Sequence, residues 1–363
     1  MFRRVSWISF LVLDAVLVFL YVAGYLALYV RTNTFWWIEL IAVFLPYLAV
    51  GILGATIVVV VNRRWKLLVV HLVLILLIFV RTNPFERLGY SAAERPDDLT
   101  VMTFNVPRWW GYLMPEKTTE MAELIGRIDA DIIGLQEAPI SFYPDDPPLR
   151  APSYLAVLYD SLGYQTVGPR TSGATYTPQP VLSRFEIVGQ DQYKLKLEPD
   201  DTTATTVTRT VLKWKGRPFA VYNLHLRTFG EQKIWQEDAP VLLRLKSIVS
   251  YLRRYREAYR TRAWEVDLIL ARLHHEELPI IVCGDLNSTP HNWVMGRFYT
   301  VLRDAFGEAG RGWGMTYHTR LPAFRIDYVL VSDHWEIVSA DVVDAYLSDH
   351  LPVVVRMRLK DEH

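Results

Sequence analysis

The first eighty positions hold three long apolar runs, and no other feature restricts the architecture as severely. Ser6–Val30 carries one charge, Asp14; Phe35–Val61 carries one, Glu39; Trp65–Val80 carries Lys66 and is otherwise apolar apart from His71. A helix needs about 20 apolar residues to cross a hydrocarbon core. The first two runs exceed that length, and the third crosses only with snorkelling ends or local thinning of the bilayer. Trp7, Trp36, Trp37 and Trp65 fall near the ends of the runs, where amphipathic rings prefer the interface. A cleaved signal peptide is the rival reading of the first run, but the run is long for that role and two more follow. The expectation is an N-terminal transmembrane segment of two or three helices over residues 1–80, in an integral protein of the cell membrane. Asp14 and His71, at lipid depth, are expected to make a polar helix–helix contact.

Basic residues in short loops set orientation. Arg3 and Arg4 precede the first run, and Arg63, Arg64 and Lys66 separate the second from the third. Arg31, Arg81, Arg87 and Arg95 fall on the other side, the last three among Glu86, Glu94, Asp97 and Asp98. With three spans the N-terminus is cytoplasmic and the remaining chain extracytoplasmic; if the third run does not span, that part lies inside.

Residues 81–97 read as a polar linker with Pro84 and Pro96, and residues 98–363 as one globular domain. The single cysteine, Cys283, excludes an intrachain disulfide and a thiolate metal cluster. Leu99–Asn105 alternates like a half-buried strand, and Glu116–Ile128 has helical apolar spacing. Asp131–Glu137, Val181–Val188, Thr205–Trp214, Phe219–Leu226, Pro279–Asp285, Arg325–Ser332 and Leu351–Leu359 read as further strands. Many strands with few helices between them point to an α+β fold, a β-sandwich flanked by helices.

The polar residues fall at strand ends. Asn105, Glu137, His225 and Asp285 close apolar strands, while Asp327, Asp349 and His350 open them. Between antiparallel neighbours such positions meet along one edge. Glu137, Asp349, Asp285, Asn105 and Asn287 are hard oxygen donors, suited to Mg²⁺ or Mn²⁺ with a substrate phosphate. Asp327 and the Asp349–His350 pair offer a carboxylate to orient and charge an imidazole.

These pieces together resemble the endonuclease/exonuclease/phosphatase superfamily, the deoxyribonuclease-I-like fold of four-layer type. The resemblance runs through TFN ending at Asn105, LQE ending at Glu137, VLSRF at 181–185, NLHL around His225, GDLNSTP from Gly284, RIDYVLVS from Arg325 and SDHLPV from Ser348. It implies a catalytic domain over 98–363 that hydrolyses phosphodiester or phosphomonoester bonds by in-line attack of water. Glu137, with Asn105 and Asp349, is then the metal site for Mg²⁺ or Mn²⁺. Asp285 activates the water, Asn287 and His225 contact the phosphoryl group, and His350 binds phosphate with Asp327 holding it.

The substrate stays open between a lipid head group and nucleic acid. The domain carries 30 basic and 34 acidic residues, a net of −4, which weighs against duplex DNA, since DNA binding usually leaves a basic footprint. Arg244–Arg262, with seven basic residues and one acid, reads as a solvated helix face or a basic helix that touches anionic lipid or nucleic acid. Trp109 and Trp110 would stack on a base, dip into lipid or fill local core. A non-catalytic membrane-tethered binding module is the other functional class; it should lack a ligand residue, and none is missing. No protein partner is inferable.

Overall fold

The computed structural model describes residues 2–31, 35–82, 92–106, 115–138, 140–142, 162–166, 175–177, 179–196, 204–230, 241–317, 323–345 and 347–360. Trp109, Trp110 and most of the expected linker lie outside the described residues.

The apolar runs form helices α1 (Phe2–Leu26), α2 (Trp36–Val43), α3 (Leu45–Val61) and α4 (Trp65–Thr82). Trp7–Tyr29, which includes a 3-10 turn after α1, is long and apolar enough to cross a membrane. The second run is not a straight rod, because α2 and α3 meet at 67°. Pro46 is the second residue of α3; a proline there lacks an N–H and its ring clashes with the carbonyl one turn earlier, so the preceding helix cannot run through. Tyr21, Leu45, Ile52 and Leu74 join α1, α3 and α4 in one apolar cluster, while Leu13, Phe19, Ile57, Val61, Leu72 and Val80 are exposed. Asp14 and His71 do meet, both buried, with His71 Nε2 3.3 Å from Asp14 Oδ2. Thr56 Oγ1 donates its one proton to Ile52 O at 2.7 Å and therefore accepts from His71 Nδ1 at 2.9 Å.

The strand-rich unit is built on two mixed sheets. One has the order β12 (Trp335–Val342), β13 (Val353–Leu359), β1 (Leu99–Asn105), β2 (Ile132–Gln136), β5 (Val181–Ser183). The other runs β10 (Arg303–Asp304), β11 (Asp327–Val331), β9 (Ile280–Asp285), β8 (Arg217–His225), β7 (Thr205–Trp214), β6 (Glu186–Leu195). A third, two-stranded antiparallel sheet pairs β3 (Ile140–Phe142) with β4 (Thr175–Thr177). Val101, Ile132, Val221, Ile281, Cys283, Val329 and Val355 interdigitate between the sheets. Helix α5 (Pro115–Ile128) covers the outer face of the first sheet, where Met121, Leu124 and Ile125 meet Met102, Phe104, Ile133 and Leu135.

Three details differ from the sequence expectation. β1 is buried on both faces rather than half-buried, as expected of a strand with a sheet on one side and a helix on the other. Val181–Val188 is two strands: the chain turns at Arg184–Phe185 and passes from one sheet to the other. The neighbours at the edge where the polar strand-end residues fall are not all antiparallel, since β1 pairs with β2 and β8 with β9 in parallel. The basic stretch belongs to a long helix, α6 (Val241–Leu273), and two short helices follow, α7 (Trp293–Phe298) and α8 (Ala305–Ala309).

Candidate active site

The parallel pairs explain why strand-end residues converge. Parallel strands finish at the same edge, so Asn105 pairs in register with Gln136, next to Glu137, and His225 pairs with Asp285. Antiparallel β11 starts where β9 ends, which sets Asp327 opposite Asp285. Gly284 permits the approach of β8 to β9: a Cβ there would lie 1.9 Å from Leu224 O, and its φ is +149°.

Asp285 is the hub. Its Oδ2 accepts from Asn105 Nδ2 at 3.0 Å and lies 3.3 Å from Asn287 Nδ2, while Oδ1 accepts from Asn287 N–H at 2.8 Å. His225 Nε2 is 3.6 Å and His350 Nε2 3.8 Å from the same Oδ2. His225 also lies 3.9 Å from Glu137 Oε1. His350 Nδ1 is 2.9 Å from Asp327 Oδ2; an ionised carboxylate only accepts, so Nδ1 carries the proton and Nε2 is the nitrogen left facing Asp285. Seven of the eight expected residues thus form one connected cluster. Asp349, which is exposed, is tied in through Ser348 and through the charge it presents to His350.

Burial raises Asp285 above the usual carboxylate range, and the neighbouring Asp327 charge adds to this against the pull of both histidines. Burial works against a charged His350, but the charge and hydrogen bond of Asp327, with Asp285 and Asp349, outweigh it and lift the imidazole to about 9. At neutral pH a cationic imidazole therefore stands beside a carboxylate whose proton affinity is raised. Glu137 and Asn287 both adopt left-handed φ, +57° and +47°. Such backbone is uncommon outside glycine and collects at functional sites.

The residues fit a divalent cation. The bond to Asp285 uses the Asn105 amide nitrogen and leaves its oxygen, the ligating end, uncommitted by that contact. Glu137 keeps its side chain 42% exposed beside His225. Asp285, Asp327 and His350 also offer ligand atoms within 4.8 Å of one another. Asp327 is, however, already engaged by a cationic imidazole, so the Glu137 side is the better seat for a hard ion.

Several supporting residues were not singled out from the sequence, although Ser348 opens the SDHLPV motif and Asn223 the NLHL motif. Thr316 Oγ1 accepts from both Ile326 N–H and Asp327 N–H at 3.1 Å, Tyr317 stacks edge-on to His350 at 4.9 Å, and Ser348 Oγ donates to Asn105 O at 2.8 Å. Behind the site, buried Asn223 donates to Leu135 O and Pro180 O and accepts from Gln136. Each lies on a segment whose partner is remote in sequence.

A family model described as "Endonuclease/Exonuclease/phosphatase family" matches residues 102–350, which takes in the whole cluster. The chain belongs to the endonuclease/exonuclease/phosphatase family. Members of this family are hydrolases that act on phosphoester bonds and typically use a divalent metal. Solved structures agree on the fold. An endonuclease/exonuclease/phosphatase from Bacteroides vulgatus is 20% identical with a TM-score of 0.51, over 72% of this chain and 99% of that one. A mannosyl-6-phosphatase of Bacteroides thetaiotaomicron is 18% identical with a TM-score of 0.51, over 72% of this chain and all of its own. Comparison with curated proteins gave no match.

Proposed function

We propose that this protein is a membrane-anchored, divalent-metal-dependent phosphoesterase whose hydrolytic site is the Asp285 cluster. The observation that carries the reading is the hydrogen-bonded hub itself: one buried carboxylate of raised proton affinity held among two amides and two imidazoles. A base works best when its pKa approaches the working pH, so Asp285 is suited to take a proton from attacking water. Asn287 orients Asp285 through its backbone and side-chain N–H groups, and His225 is the group that donates to phosphoryl oxygens. Asp327 fixes the tautomer and charge of His350, whose Nε2–H faces the charge that develops in a pentavalent transition state. Glu137, Asn105 and Asp349 would hold Mg²⁺ or Mn²⁺, which when bound supplies phosphoryl polarisation and leaving-group stabilisation.

The membrane reading rests on the helices. Arg64 stacks on Trp7 at the start of α1, and Arg81 on Tyr25 and Tyr29 at its end. Hence α1 and α4 run in the same direction, with α3 returning between them. Removal of α1 as a signal peptide would leave His71, fully buried, without its carboxylate. Trp7–Tyr29 is one span and the bent α2–α3 pair counts as a second; were α4 a third, Arg63, Arg64 and Lys66 before it would favour an extracytoplasmic catalytic domain. This arrangement suits a phosphate-bearing lipid head group as substrate. The family and the sugar-phosphatase neighbour keep nucleic acid and sugar phosphates as the rivals.

The test is hydrolysis by the purified full chain with Mg²⁺ or Mn²⁺, on phospholipid vesicles, plasmid DNA and sugar phosphates in parallel. Activity is expected to stop with EDTA and in Glu137→Ala and Asp285→Ala. Full activity in both variants overturns the assignment, and a non-catalytic module would leave all three substrates intact.

A further inference from the structure

Ser288–Gly296 follows Asp285 and Asn287 directly in the chain, yet it belongs to the same unit as the N-terminal helices and Phe229–Ala263. The contacts are specific. Thr289 N–H and Oγ1 donate to Asn292 Oδ1 at 2.7 and 2.8 Å, which fixes the Asn292 amide. Its Nδ2 then donates to Glu39 Oε2 at 2.7 Å and to Glu39 O at 3.0 Å. Trp293 N–H approaches both carboxylate oxygens of Glu39, at 3.2 and 3.3 Å. Glu39 and Asn292 are both fully buried. Around this grip Arg31 stacks on Trp293, Arg81 Nε donates to His291 Nδ1 at 3.3 Å, and a Cβ on Gly296 would lie 2.7 Å from Leu28 O.

Glu39 is the one acid in the second apolar run. A carboxylate buried in an apolar segment is costly unless fully hydrogen-bonded, and here its partners come from the loop that continues the catalytic strand. That loop leaves β9 through Asn287, whose φ of +47° lies in the left-handed region that asparagine visits more readily than most residues. Upstream, Asn287 is held by Asp285 and by Leu226 O at 3.1 Å. Downstream, the next fixed point is the Thr289–Asn292–Glu39 chain, and four residues between Asn287 and Asn292 leave little slack.

We infer that Glu39, acting through Asn292, is a positioning residue for Asn287 and Asp285. The inference rests on the phosphoesterase reading of the same site.

The experiment compares full-length wild type, Glu39→Gln, Asn292→Ala, Asp14→Asn and Asp285→Ala in detergent, by steady-state kinetics and by deuterium exchange. Glu39→Gln keeps size but turns an amide N–H₂ toward one of the two donors, Asn292 Nδ2 or Trp293 N–H, that the carboxylate accepts from. It and Asn292→Ala are expected to lower kcat at least tenfold with KM within about twofold, and to speed exchange across 288–296. Asp14→Asn, which loosens the helices elsewhere, leaves kcat unchanged. If exchange across 288–296 rises while kcat stays at the wild-type value, the grip does not position the site and the inference falls. If Glu39→Gln does not fold, Asn292→Ala decides on the same two readouts. A wild type as inactive as Asp285→Ala on every substrate class overturns the phosphoesterase reading instead, and this inference with it.

Discussion

At the scale of single residues, the site works through burial. Asp285, Asp327 and His350 are each less than a tenth exposed, so their charges act on one another in a medium that screens weakly. Removal of the hub carboxylate in Asp285→Asn is expected to lower kcat by about a thousandfold, the range typical of a lost general base; single-turnover hydrolysis checks it. His350 gives a pH signature. Its folded-state value of about 9 lies above the ordinary 6.5, so its charged pairing stabilises the fold fully below about 6.5. That stability is lost as pH rises through about 9. The full shift corresponds to roughly 3 kcal/mol. Thermal melts in EDTA from pH 6 to 10 are expected to show this decline in wild type and a flatter profile in His350→Gln. Cys283 lies close by in the core, but burial pushes its thiol up to about 12, which leaves it an inert core residue.

At the scale of elements, the two sheets come into close contact where β2 crosses β9. A Cβ on Gly134 would sit 2.4 Å from Cys283 Sγ. Gly134→Ala is therefore expected to destabilise the domain by about 1–3 kcal/mol through overpacking. Cys283→Ala in the same chain should recover much of that loss, because it removes the sulfur in the way. Chemical unfolding of the two single variants and the double variant measures the coupling, and additive losses would contradict the contact. The element-scale readings that failed share a cause. Local alternation did not show that β1 is covered on both faces or that the chain changes sheets at Arg184–Phe185, because both depend on which elements pack from outside the segment. β12, absent from the sequence expectation, is held largely by its register with β13.

At the scale of the whole molecule, the apolar segment and the hydrolytic fold share one chain, and this makes testable demands. Protease added to intact cells is expected to degrade the domain after residue 97 while the helices survive; protection of that domain would place it in the cytoplasm. A domain with a net charge of −4 that acts on a head group should show a shallow dependence of rate on salt. Cleavage of DNA that falls steeply with salt would retire the lipid reading in favour of a nuclease.

Composition and order alone determined the apolar runs and most strands, and with the family resemblance they nominated the eight candidate site residues, because apolar periodicity and short polar motifs are local properties of a chain. The meeting of Asp14 with His71 was legible too, since a lone acid and a lone imidazole among apolar residues have few other partners. The parallel pairing that brings Asn105 to Glu137 and His225 to Asp285 was decided only by tertiary structure. So were the supports from Thr316, Tyr317 and Asn223, and the grip of Glu39 on Asn292. Each joins residues tens to hundreds of positions apart, and such contacts follow from how elements are laid against one another, which no local pattern records.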